Sequence, residues 1–170
     1  MANRLEKFPT DHWGADNSTS VQFEPAAVLP PRNLITACFV FPIYQNQIVL
    51  CKDSRGWGLP GGHREAEETP EDCIRREALE EAEIRLGDIT LIGQWVAIKI
   101  FDSPFNQKYP QIGYQLLYFA QVTSLLPFKS NHETTERTLV TKEGLRKLHH
   151  NYSAIEDIMH FISKNYTDIK

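Results

Sequence analysis

Thr69 and Pro70 fix where one helix of this chain begins, and that helix constrains much of what surrounds it. Threonine supplies an N-cap acceptor. Proline suits the first helical position, where its missing N–H costs nothing, and Glu71 and Asp72 follow at the positive end of the helix dipole. Ile74, Ala78 and Ala82 then recur every fourth residue as an apolar stripe. Glu77, Glu80 and Glu81 stand at i, i+3 and i+4, within an arc of about 100° beside that stripe. Packing of the stripe therefore aims the carboxylates. Three such groups repel one another unless something cationic lies among them, and hard oxygen donors call for Mg²⁺, with Mn²⁺ as the alternative. An acidic cluster alone is more often a solvated helix face. Here it follows the turn Trp57-Gly58-Leu59-Pro60-Gly61-Gly62, whose glycines let backbone approach a metal or phosphate closely.

The rest of the chain reads as strands. Leu34–Pro42 is rich in β-branched and aromatic residues, Tyr44–Gln47 is a turn, and Ile48–Cys51 is its partner strand. Ile89–Phe101 and Tyr114–Val122 are two long strands, joined by a loop that carries Phe105 and Tyr109. Thr138–Val140 reads as a short strand. Thr141 caps a helix running to about His149, and His149-His150 reads as its terminus, where imidazolium suits the negative end of the dipole. Ser153 and Glu156 form a capping box for a final helix packed through Ile155, Ile158, Met159 and Ile162. Strands interrupted by one helix and closed by others give an α/β fold with a mixed sheet. Residues 1–32 are expected as an N-terminal arm with a short strand at Val21–Phe23, the first twenty being a tail or a partner-dependent arm. Residues 33–170 form the main domain.

These residues resemble the Nudix (MutT-like) hydrolases, whose pattern is G-x5-E-x7-R-E-U-x-E-E-x-G-U with U bulky and apolar. Gly62, Glu68, Arg76-Glu77, Ala78, Glu80-Glu81 and Ile84 match it in order, while Glu83 stands at a family glycine and Glu67 where many members also have glycine. The resemblance implies an α/β/α sandwich that hydrolyses a nucleoside diphosphate linked to another group. It implies Glu77 and Glu81 as metal ligands, Glu80 as a ligand or as the base that orients water, and Glu68 as a further candidate ligand. Arg76 is one turn before Glu80 and can pair with it or with Glu68. Many members add a carboxylate from a later loop, for which Glu133 and Glu136 are candidates and Glu133 is preferred. Glu83 either takes a left-handed conformation, at a cost of about 1 kcal/mol, or the helix ends differently.

Outside the motif, Arg64 and His63 are placed to meet phosphate or to lie on an exposed loop. Phe105 and Tyr109 can line a base-stacking pocket or pack in the loop, and Trp57 and Cys73 read as structural. A nucleoside triphosphate or oxidised purine triphosphate is the first expectation for the substrate. ADP-ribose or a nucleotide sugar is the alternative, and a non-catalytic nucleotide sensor is the rival class. The net charge of −4 argues against general nucleic-acid binding. No apolar run is long enough to span a membrane, and the first residues lack the apolar core of a secretory signal. Three cysteines without metal-type spacing suit reduced thiols and a cytoplasmic setting. Monomer and homodimer both remain open.

Overall fold

The computed structural model describes residues 8–130 and 132–166. In chain order the strands and helices are β1 (Thr10–Trp13), β2 (Thr19–Pro25), β3 (Ile35–Tyr44), β4 (Gln47–Asp53), β5 (Gly56–Gly58), β6 (Gly61–His63), α1 (Pro70–Ala82), β7 (Ile84–Lys99), β8 (Ile112–Leu125), β9 (Glu136–Val140), α2 (Lys142–Leu148) and α3 (Tyr152–Asn165). The sheet order is β1-β2-β7-β8-β3-β4-β5, with β6 added to β3 and β9 to β4. Among the described strands β3 and β8 pair in parallel and the other pairs are antiparallel, so the sheet is mixed.

Alternation along the central strands divides the core in two. Cys38 and Val40 of β3, Val49 and Cys51 of β4, and Leu116, Tyr118 and Ala120 of β8 face α1, where Ile74, Ala78 and Ala82 meet them fully buried. Their neighbours Phe41, Ile43, Ile48, Leu50 and Leu117 face the opposite way onto Leu145 of α2 and Ile158, Met159 and Ile162 of α3. The period-two pattern of the strands thus serves two helical layers, giving an α/β/α sandwich. The β3–β4 hairpin turns through Gln45 and Asn46, both at positive φ, as a two-residue turn matched to strand twist requires.

Several expectations are revised. Residues 10–13 are not a tail: they form β1, which pairs with β2, and β2 pairs with β7 along Thr19–Pro25. The strand expected at Ile89 begins at Ile84, immediately after α1. The Gly-rich segment is two short strands, β5 and β6, rather than a plain turn. Ser153 lies inside α3, whose N-cap is Asn151 with no side-chain cap bond, so the capping box does not form. His149 carries no charge to the end of α2. Burial and the neighbouring His150 ring hold its pKa down to about 4, and Arg146 and Lys147 supply the cations of the last turn.

Candidate active site

The N-terminus of α1 is built as expected: Thr69 Oγ1 accepts the Asp72 N–H at 3.1 Å and donates to its carboxylate at 2.6 Å. At the other end Glu83 adopts the left-handed conformation, φ 51° and ψ 46°. The carbonyls left over there are met by Arg137 of β9, which donates to Ala82 O at 2.8 Å and Glu83 O at 3.2 Å. A cation at this position also suits the helix dipole. Nearby, the Thr134 hydroxyl donates to Glu81 O at 2.7 Å, anchoring the loop that carries Glu133 beside the helix.

With both ends fixed, α1 presents its acidic face to Gly61 and Gly62. Gly61 has φ 153°, and a methyl group there would come within 2.6 Å of Phe39 Cα, so only glycine lets β6 lie this close to β3. Its N–H donates to Glu81 Oε2 at 2.9 Å. A methyl on Gly62 would stand 2.6 Å from Glu77 Oε1, so the Glu77 carboxylate rests directly on that backbone. Glu77 is buried, and burial pushes its pKa up. Burial likewise pushes Glu81 up to about 7, with Glu77 adding to the rise and the Gly61 N–H opposing it.

Arg76 organises the rest. It grips Glu68 with two bonds of 2.7 and 3.0 Å, and donates to Glu77 Oε1 at 2.8 Å, Glu80 Oε2 at 3.1 Å and the His63 carbonyl at 3.1 Å. Both expected partners are therefore engaged, with Glu77 as a third. Hydrogen bonding to Arg76 is the leading cause of the lowered pKa of Glu68. With both its oxygens held by Arg76, Glu68 acts as the anchor of the arginine.

Among the described residues, no three His, Cys, Asp or Glu side chains converge as a formed metal site. The guanidinium occupies the space between Glu68, Glu77 and Glu80. The donor set nevertheless fits a hard divalent ion: Glu77, buried, and Glu81, half-buried, are carboxylates whose charged forms burial disfavours, and Glu80 adds a third on the same face.

This face opens on a cavity of ≈ 970 Å³. Glu133 lies on its wall, as do Phe105 and Tyr109. Tyr109 pairs with His63 by a 2.8 Å hydrogen bond and a near-parallel ring contact. The loop carrying both aromatics is tied to the β1–β2 hairpin by buried groups: Ser18 Oγ meets Ser103 Oγ at 2.8 Å, and Asn106 Nδ2 donates to Thr19 Oγ1 at 3.2 Å. Trp13 of that hairpin also lines the cavity, a contribution the featureless composition of residues 1–20 gave no means to foresee. Arg64 is differently placed from a phosphate ligand. Its guanidinium donates to five main-chain carbonyls, those of Arg32, Ile35, Glu65, Ala66 and Glu68, and so braces the loop before α1. Sequence reading also passed over Arg55 and Asp53, which line the cavity from the β4–β5 turn. They form no motif, and only folding brings that turn opposite α1.

The sequence model of the NUDIX domain matches residues 34–159. Among solved structures, the pyrophosphohydrolase BsRppH of Bacillus subtilis superposes with a TM-score of 0.69 at 19% identity, covering 89% of this chain and 94% of its own. A NUDIX hydrolase from Nitrosomonas europaea gives 0.58 at 17%, covering 76% and 88%. A NUDIX-family hydrolase from Clostridium perfringens gives 0.50 at 22%, covering 75% and 92%. At these identities the likeness is one of fold. No curated protein matches the chain significantly. The domain match spans most of the sequence, and the chain belongs to the Nudix family of hydrolases. No helix among the described residues is long and apolar enough to cross a membrane.

Proposed function

We propose that this chain hydrolyses the phosphoanhydride linkage of a nucleoside diphosphate linked to a further group, with a nucleoside triphosphate or oxidised purine triphosphate as the substrate. The observation that carries the reading is the acidic face of α1 set against Gly61 and Gly62 on the cavity wall, with Arg76 fixing the carboxylates. Glu77 and Glu81 would hold Mg²⁺, joined by Glu80 where Glu133 takes the proton of the attacking water instead. Such an ion, when bound, neutralises charge on the phosphate oxygens as the P–O bond breaks.

The remaining work falls to this chain's own groups. The Gly61 N–H orients Glu81, and Arg76, itself anchored on Glu68, orients Glu77 and Glu80. Glu80 has one oxygen, Oε1, outside the Arg76 contact. That oxygen accepts the proton of the water that attacks phosphorus, and Glu133 is the alternative acceptor across the cavity. Trp13, Phe105 and Tyr109 offer aromatic surface for the nucleobase.

Hydrolysis with and without Mg²⁺ across nucleoside triphosphates, 8-oxo-dGTP, ADP-ribose and nucleotide sugars tests this reading. Glu81→Gln is expected to keep the fold and lower turnover by at least ~10²-fold, because a charge aimed at the reacting phosphate is lost. Full turnover in a folded Glu81→Gln protein would overturn the site. Turnover confined to ADP-ribose or nucleotide sugars would move the substrate to that class. Tight nucleotide binding with no turnover would make the chain a sensor.

A further inference from the structure

Three arginines line the cavity among the described residues, and two of them are held by the protein itself. Arg64 donates to five carbonyls, and Arg76 is shared among Glu68, Glu77, Glu80 and His63 O. Arg55 differs. It sits on the tight turn between β4 and β5, where Asp53 Oδ1 accepts its backbone N–H at 2.7 Å. Its guanidinium meets only the other oxygen of Asp53, through Nε at 2.9 Å and Nη2, and makes no hydrogen bond to any other described residue. The side chain is 70% exposed, while Asp53 is 17% exposed. Asp53, Arg55, Glu81 and Glu133 all line the same cavity, and Arg55 lies near enough to Glu81, Glu133 and His63 to affect each electrostatically.

We propose that Arg55 is the residue that grips the substrate's phosphates, and that Asp53 parks its guanidinium at the cavity mouth until a phosphate displaces it. The inference rests on the proposed function, since it concerns the same substrate. A phosphate matches the planar donor fork at least as well as a carboxylate and carries more charge, so exchange of one for the other is favourable. An exposed ion pair adds little to stability, so releasing it costs the fold little. The cation also supplies what an acidic site lacks: three glutamates repel a polyanion, and a guanidinium on the facing turn offsets that repulsion. Asp53 makes two contacts with Arg55, and they are separable. Its acceptor for the backbone N–H holds the turn, and its charge holds the guanidinium.

The test is equilibrium binding by calorimetry, in Mg²⁺, of inorganic pyrophosphate and of adenosine to the full chain. Arg55→Gln is expected to weaken pyrophosphate about tenfold, as loss of a charge-assisted contact implies, and to leave adenosine unchanged. Arg55→Lys should recover part of the loss. Asp53→Asn keeps an acceptor for the turn but removes the parking charge, and should tighten pyrophosphate by about threefold, with a melting curve confirming the fold. If the wild-type chain binds pyrophosphate and Arg55→Gln binds it equally well, the role of Arg55 is overturned while the hydrolase reading stands. If the wild-type chain binds no pyrophosphate, the role of Arg55 is overturned, and the hydrolase reading is decided separately by the turnover panel.

Discussion

Single residues act here mainly by holding other residues in place. Gly62 is the clearest case. Its missing side chain is the space the Glu77 carboxylate occupies, with 2.6 Å separating Oε1 from where a methyl would be. The obstructed group is the far end of a flexible side chain, so Gly62→Ala is expected to change thermal stability little, within about 1 kcal/mol. It should nevertheless lower kcat by at least ~10-fold by turning Glu77 away from Gly62 and from Arg76. Steady-state kinetics beside a melting curve would check both halves. A variant that melts normally and turns over normally would show that the Glu77 position does not matter. Arg76 illustrates the same logic from the charged side. Three carboxylates on one helix face would repel, and the guanidinium bonded to two of them, Glu77 and Glu80, and anchored on Glu68 before the helix, offsets that repulsion. That much was legible in the spacing of the glutamates. The commitment of Arg64 to five carbonyls was not, because their convergence depends on the path of the loop.

At the scale of elements, α1 is the piece that sequence describes best, since its cap, its stripe and its acidic face are local properties. Its C-terminal end carries an identifiable fault. Glu83 is held at φ 51°, a conformation glycine adopts freely and other L-residues adopt at a cost. Glu83→Gly is expected to stabilise the fold by about 0.5–1 kcal/mol, a rise of about 2–4 °C in Tm for a domain of this size. An unchanged or lower Tm would mean that the Glu83 side chain compensates for its backbone. The central strands were equally legible, because their alternation survives in the sequence. What escaped depends on partners far along the chain. Residues 10–13 have no strong strand signature and become β1 by pairing with β2, which is itself fixed against β7. The early start of β7 follows from the left-handed turn at Glu83, which sends the chain straight back along the sheet. The Ser153–Glu156 spacing mimics a capping box, but α3 has already begun at Tyr152. Of the site, the carboxylates and glycines were readable as a motif. Trp13, Asp53 and Arg55 reach the cavity only through the fold.

At the scale of the whole molecule, the sheet is tied to the α2–α3 layer where β5 meets the α2–α3 junction. Trp57 forms an isolated bridge with His149, and its carbonyl accepts the His150 N–H at 2.9 Å. The His149 and His150 rings stack with centroids 4.9 Å apart. Half-buried against this junction and beside a second imidazole, His149 resists protonation, and its pKa falls from 6.5 to about 4. The unfolded chain has no such restraint. Between about pH 6.5 and 4 it binds a proton that the folded chain refuses, so this residue's contribution is fully present above the unfolded value and is lost as pH falls through that window. The loss amounts to on the order of 2 kcal/mol once solvent screening of a half-buried ring is allowed for. Carboxylates titrate in the same range, so the prediction concerns a difference. Urea unfolding of the wild type and of His149→Gln, compared at pH 7.5 and pH 4.5, should show the variant losing less stability on acidification. Parallel losses in the two proteins would mean that His149 is protonated in the folded state, and that the β5 junction tolerates the charge.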